Sequence, residues 1–313
     1  MLRPGIDLGG TNIAVGAVNN QGIIVAKKSA PTNANRKAEM IVDDIVELCS
    51  DLSKEIGITL DKYDSIGIAI PGGVDEISGN VIFAPNIPFS GLNISEILSQ
   101  KFGGKKVGVI NDANAALMAE LKFGAAVGFK DVVMITIGTG IGGAIAINGK
   151  ILNGTNGMAG ELGHVVIERN GKKCSCGRRG CFEIYASATA LTKLTEKEIK
   201  KCRKAGENTI MSTASKINAQ VAFDAYKQGD SAAQRVIAEY IDALSCGIVS
   251  LINIFQPELF VIGGGVSGQK QFLLDLLVPN VAQEQYSRNI ERKTKLLTAL
   301  CGNDAGIIGA AFA

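Results

Sequence analysis

The sequence predicts an α/β fold built as two lobes of related design. Three observations predict it. The chain has 313 residues, enough for two domains with large buried cores. Short apolar runs of strand character alternate with longer runs of helical periodicity. A glycine-turn hairpin at the N-terminus returns in the same layout near residue 131.

The first hairpin reads as strand Gly5–Leu8, turn Gly9-Gly10-Thr11-Asn12 and strand Ile13–Val18, followed by turn Asn19–Gly22 and strand Ile23–Lys28. Residues Asn35–Glu55 read as a helix with Met40, Ile41, Ile45 and Leu48 inward. Ser65–Ile70 is a buried strand that runs into Pro71-Gly72-Gly73. Val107–Ile110 is another, and Asn111–Phe123 a helix that Gly124 ends. The second hairpin reads Asp131–Ile137, turn Gly138-Thr139-Gly140-Ile141-Gly142, Gly143–Ile147, then Asn148–Lys150 and Ile151-Leu152. The stretch Ile199–Ala233 is helical in patches, and Ser231–Phe255 is one long helix ended before Pro257. Strand Glu258–Ile262 meets Gly263-Gly264-Gly265, and a small-residue helix, Ile307–Ala313, closes the chain. The lobe boundary is expected near residue 113.

Composition excludes several classes of partner. Basic residues number 32 and acidic residues 30, so no strong field points to nucleic acid or an acidic membrane. Apolar runs such as Val132–Ile137 and Ile248–Ile254 read as too short or too interrupted to span a bilayer. The N-terminus enters a strand at once, with no signal peptide, which reads as a cytoplasmic protein.

The 38 glycines cluster in turns between strands, where close backbone approach to a phosphate is possible. The two hairpins then read as two grips on one nucleotide; ordinary hairpins are also glycine-rich, and that reading stands beside it. Gly263-Gly264-Gly265 is either a plain loop or a flat seat for adenine. His164, Cys174, Cys176 and Cys181 offer one imidazole and three thiolates, a donor set that suits tetrahedral structural zinc. The competing reading is three buried or redox-active cysteines. Asp112 follows a strand and opens a helix, so it is either an N-cap or a general base kept ionised by the helix dipole. Asp7 sits in an apolar strand, where its carboxylate needs a partner: Mg²⁺ on a nucleotide, or turn amides. Asn86, Asn111, Glu161 and Glu183 are the directed polar groups that sugar hydroxyls require, although each taken singly is an ordinary surface residue.

Together these motifs resemble those of the repressor, open-reading-frame, kinase (ROK) family over essentially the whole chain. Ile6-Asp7-Leu8-Gly9-Gly10-Thr11-Asn12 is similar to its first phosphate motif, and Ile137-Gly138-Thr139-Gly140-Ile141-Gly142-Gly143 to its second. Gly160-Glu161-Leu162-Gly163-His164 continues that signature, and Cys174-Ser175-Cys176-Gly177 with Gly180-Cys181-Phe182-Glu183 resembles its zinc motif. Asn111-Asp112 matches its catalytic pair, and Pro71-Gly72 and Pro85-Asn86 its sugar loops. The resemblance implies an actin-like, ribonuclease H-like fold with a ligand cleft between lobes 1–112 plus 302–313 and 113–301. It implies Asp112 as the catalytic base, with Gly72, Asn86, Asn111, Glu161, His164 and Glu183 at the sugar. Asp7, Gly9, Gly10, Thr11, Asn12, Thr139, Gly140, Gly264 and Gly265 would attend ATP and Mg²⁺, with structural Zn²⁺ nearby. It further implies a homodimer. Glucokinases fit best, and Phe182 stands where they more usually carry Leu or Ile. Kinases of N-acetylmannosamine, allose or fructose share much of the pattern. The family's repressors carry a DNA-binding segment before the first motif, which here begins at Ile6, so repression is the lesser expectation.

Overall fold

A computed structural model describes residues 2–313, apart from the side chain of Asp61. The chain falls into two compact units, one of residues 1–130, 144–160 and 300–313, the other of residues 131–143 and 161–299.

In the first unit, β1 (Leu2–Leu8), β2 (Asn12–Asn19) and β3 (Ile24–Pro31) form an antiparallel meander. Helix α1 (Ala38–Glu55) follows, then β4 (Ser65–Ile70), a small hairpin of β5 (Gly73–Asp75) and β6 (Asn80–Phe83), α2 (Ile94–Lys101), β7 (Lys106–Asn111) and α3 (Asp112–Phe123). The sheet order is β3-β2-β1-β4-β7, with β1, β4 and β7 parallel to one another. Two such parallel neighbours place Leu8 and Asn111 at the same, C-terminal edge of the sheet, where ligands collect in open α/β sheets.

Helix α1 is two or three residues shorter at its start than its periodicity predicts, and Met40 is not inward: it is 48% exposed. The buried stripe is Ile41, Val42, Ile45, Cys49 and Leu52, with Leu48 at its margin. Met40 lies about one hundred degrees around the helix from Ile41, enough to take it off that stripe.

The second sheet repeats the first. Strands β8 (Val132–Ile137), β9 (Ile141–Ile147) and β10 (Lys150–Ile151) give the meander, β9 starting two residues before its predicted position. Helices α4 (Glu183–Ala186), α5 (Ala188–Ala205), α6 (Ala219–Lys227) and α7 (Ser231–Phe255) precede β11 (Leu259–Gly263), α8 (Gln271–Glu284) and β12 (Lys295–Thr298). The order is β10-β9-β8-β11-β12, again with three parallel strands, β8, β11 and β12. Each strand thus has a counterpart in the same place, as the repeated hairpin predicts. Helix α7 is long and apolar enough, by length and composition, to cross a bilayer, contrary to the expectation from its short runs. Of its most apolar stretch 56% is buried, and Ile237, Tyr240, Leu244 and Ile248 pack it as a core helix.

The chain closes with α9 (Ala305–Ala310) in the first unit. This helix packs on β1, β4 and α3. A Cβ on Gly67 would lie 1.7 Å from the Ala310 carbonyl oxygen, so only glycine lets the helix lie this close to the sheet.

Candidate active site

The predicted residues fall into one group in each unit. In the first, the turn Gly9–Thr11 is held by backbone bonds. The Gly9 N–H donates to Asn12 O at 2.9 Å, the Thr32 hydroxyl donates to Gly9 O at 2.6 Å, and the Thr32 N–H donates to Thr11 O at 2.8 Å. Gly10, Thr11 and Asn12 are exposed, and Gly10 lies beside exposed Asn86, whose Cβ is 3.4 Å from where a Gly10 side chain would begin.

The cap of α3 is Asn111, not Asp112. The Asn111 side-chain oxygen accepts from the N–H groups of Ala113 at 2.9 Å and Asn114 at 3.1 Å. Its amide also donates to Gly72 O at 2.9 Å, tying the helix start to the loop after β4. Asp112, the first residue inside the helix, is exposed, and its Oδ1 accepts from Ala113 N–H at 2.8 Å. The N-cap reading of Asp112 is therefore corrected, because the residue before it does that work.

Behind Asp112 lies a cluster that the sequence did not suggest. The Asn153 amide donates to Glu76 at 2.8 Å, and the buried Asn114 amide donates to Asn153 at 3.2 Å and to Glu76 at 3.4 Å. Burial pushes the Glu76 carboxyl up, and these amides hold it partly back. Asp7 is also pushed up from the usual carboxylate range, chiefly by burial, with Lys27 opposing and Asp304 adding to the rise. The Lys27–Asp304 ion pair stands beside it.

In the second unit, Thr139 and Gly265 line one pocket of about 350 Å³ together with Thr189, Asn218, Gln220 and Val266. Asn218, the cap of α6, and Gln220 are contributors that sequence reasoning missed; the only signal was an Asn before a periodic run. The turn after β8 is closed by Gly138 N–H to Gly140 O at 3.0 Å, and the Thr189 hydroxyl donates to Thr139 O at 2.7 Å. Gly264 has φ of +76°, and its Cβ would lie 2.5 Å from backbone atoms of Ile137. Glu183 meets the same turn: its Oε2 accepts from Ile141 N–H at 2.9 Å and would lie 2.1 Å from a Cβ on Gly140. Glu161 is exposed and leads into the short helical turn Leu162–His164.

His164, Cys174, Cys176 and Cys181 bring their donor atoms within 4.8 Å of one another. His164 Nδ1 is 3.7 Å from Cys174 Sγ, and Cys176 Sγ is 3.7 Å from Cys181 Sγ. Ligands around tetrahedral zinc stand roughly 3.8 Å apart when zinc–sulfur bonds are about 2.3 Å, so the cluster fits that ion. Burial pushes the Cys181 thiol up to about 12, whereas the Arg178 backbone N–H lowers Cys176. A buried thiol of that kind gives up its proton when a cation is there to stabilise the thiolate.

A ROK family model matches residues 3–313. The glucokinase of Thermotoga maritima is 36% identical over 98% of this chain and 95% of its own. The crystal structure of a ROK family glucokinase from Streptomyces griseus, in complex with glucose and AMPPNP, superposes with a TM-score of 0.84 at 33% identity, covering 100% of this chain and 98% of that one. The xylose repressor of Caldicellulosiruptor bescii is 30% identical over 90% of this chain and 70% of its own. The two-lobed α/β organisation with paired five-stranded sheets matches such glucokinase structures.

Proposed function

The chain belongs to the ROK family and is a glucokinase-like sugar kinase, and we propose that it moves the γ-phosphoryl group of ATP to O6 of glucose. The observation that carries the reading is the start of α3. Asn111 caps the helix and grips Gly72, so Asp112 stands at the first turn with its carboxylate exposed. The N-terminal end of the helix dipole favours its ionised form. In this reading Asp112 takes the hydroxyl proton as the sugar oxygen attacks. Asn86, Asn111, Glu161, His164, Glu183 and the Gly72 loop orient the sugar. The turns at Gly9–Asn12 and Thr139–Gly140 hold phosphates through backbone N–H groups, and Gly264-Gly265 lies under the base. Phosphoryl transfer of this kind depends on positioning and charge neutralisation rather than on covalent chemistry by the protein.

Mg²⁺ bound with the nucleotide supplies charge neutralisation, and Asp7 is the carboxylate placed to meet its hydration shell. Zinc held by His164, Cys174, Cys176 and Cys181 is structural, since four protein ligands leave no open position. The reading includes a cytoplasmic homodimer, which light scattering on the purified protein checks. N-acetylmannosamine, allose and fructose are the alternative acceptors. A second reading, a sugar-responsive regulator, is favoured by the similarity to the xylose repressor. A coupled ADP-release assay across glucose, N-acetylmannosamine, N-acetylglucosamine, mannose, allose and fructose tests both. Turnover greatest with glucose is expected; no ADP release with any of them overturns the kinase reading.

A further inference from the structure

A second pocket, of about 450 Å³, opens in the second unit and shares Thr139 and Thr189 with the pocket assigned to the nucleotide. Four lysines line it, Lys172, Lys173, Lys193 and Lys197, against one carboxylate, Glu183. One oxygen of that carboxylate is already occupied by the Ile141 N–H. Among the described residues none of the four lysines forms an ion pair. A chain of nearly balanced charge has therefore gathered positive charge in one concave place without a protein partner for it.

The arrangement carries a cost. Lys193 and Lys197 stand four residues apart on one face of α5, a like-charge spacing that destabilises a helix by about 0.2–0.5 kcal/mol. The other two lysines are held on the loop of the Cys174 cluster. The Lys172 N–H donates to the Tyr185 hydroxyl at 2.7 Å, and its ammonium lies 4.7 Å above the Tyr185 ring. Low-dielectric walls focus such a field and raise the local concentration of anions. Lysine ammonium groups suit phosphate as point charges. The charge is spread along α5 and the loop rather than gathered at one point, which fits an extended anion better than a single phosphate.

We propose that this pocket binds a linear inorganic polyphosphate whose end reaches Thr139 and serves as a second phosphoryl donor. The inference rests on the kinase reading for its chemistry, but not for the binding. In the transfer, the sugar oxygen bonds to the terminal phosphorus. The bridging P–O bond to the next phosphorus breaks, and its electron pair stays on the shortened chain as a terminal oxyanion. The hydroxyl proton goes to Asp112. Atoms and charge balance without any further reactant.

The test compares the wild type with the double variant Lys193→Gln/Lys197→Gln, which touches neither the cysteine cluster nor Thr139. Binding of long-chain inorganic polyphosphate, tripolyphosphate and orthophosphate is measured by calorimetry at fixed ionic strength, and sugar phosphate formation with polyphosphate or ATP as donor. The proposal expects saturable polyphosphate binding, weakened about tenfold or more in the double variant, while the KM for ATP changes by less than about threefold. It also expects sugar phosphate from polyphosphate without nucleotide. Absent or variant-insensitive polyphosphate binding overturns the site. An ATP KM that rises as much as the polyphosphate affinity falls assigns the lysines to the nucleotide and overturns it as well. Lysine-dependent binding with ATP-driven turnover but no transfer from polyphosphate overturns the donor role. If neither donor phosphorylates any sugar, the kinase reading fails and the donor role with it, and the calorimetry still decides the site.

Discussion

At the scale of single residues, the chemistry depends on which neighbour relieves which. Asn111 takes the capping duty, which leaves the Asp112 carboxylate at the surface. From sequence alone an Asp before a helix is ambiguous, because cap and first-turn positions differ by one residue and helix ends are uncertain by that much. Asp7 shows the opposite balance. Burial raises its pKa, so the ionised form is disfavoured in the fold. A carboxyl raised in this way costs stability as pH climbs from its unfolded value through its folded one, and the cost persists at neutral pH. Asp7→Asn is therefore expected to raise the melting temperature of the ligand-free protein at pH 7 relative to pH 3.5, while lowering its affinity for Mg-ATP. A variant that melts lower than the wild type and binds Mg-ATP unchanged contradicts this account. Gly264 is a third case. Its φ of +76° and its approach to Ile137 admit no side chain. Gly264→Ala places a non-glycine residue in the left-handed region, at about 1–2 kcal/mol before any clash is counted. Thermal melting is expected to drop by several degrees, with the KM for ATP rising more than that for the sugar.

At the scale of elements, two devices position the sites, and neither could be read from pattern. Glu120 on α3 is fully buried, yet it is satisfied: Oε1 accepts from Leu300 N–H at 2.9 Å and Cys301 N–H at 2.7 Å, and Oε2 from Ala125 N–H at 2.6 Å. It fastens the end of α3 to the segment that leads into α9. An acidic residue between Ala119 and Leu121 reads as the polar face of a helix, and only the returning chain, far away in sequence, makes it core. Glu120→Ala would orphan three N–H groups and is expected to cost about 3 kcal/mol or more in denaturant unfolding. The cysteine loop is the second device, and there the donor set was legible because its residues lie close in sequence. Its glycines at 177 and 180 take φ of +91° and +80°. Removing zinc with a chelator is expected to lower the melting temperature sharply and weaken sugar binding, since structural zinc contributes roughly 10 kcal/mol or more in small domains. An unchanged melt would point to three unligated thiols instead.

At the scale of the whole molecule, the repeated hairpin was the most informative feature of the sequence. Leu8-Gly9-Gly10-Thr11 and Ile137-Gly138-Thr139-Gly140 announce two sheets, and both sheets have the same strand order and the same pattern of parallel pairs. Local turn chemistry made those hairpins visible. What stayed hidden depends on long-range packing: α2, the β5–β6 hairpin, α8 with Pro279 inside it, and edge strand β12. The pocket of Thr139 and Gly265 was half legible, because its glycines stand in motifs while Asn218 and Gln220 enter only through the placement of α6.

The central claim is that Asp112 is the base of a sugar kinase. The direct measurement is steady-state turnover of Asp112→Asn against the wild type with ATP and the best sugar acceptor, alongside sugar affinity by calorimetry. The amide keeps the shape of the side chain and removes the proton acceptor. The account predicts that turnover falls by ~10²–10⁴ while the fold and sugar affinity are retained. Turnover within about tenfold of the wild type would contradict it.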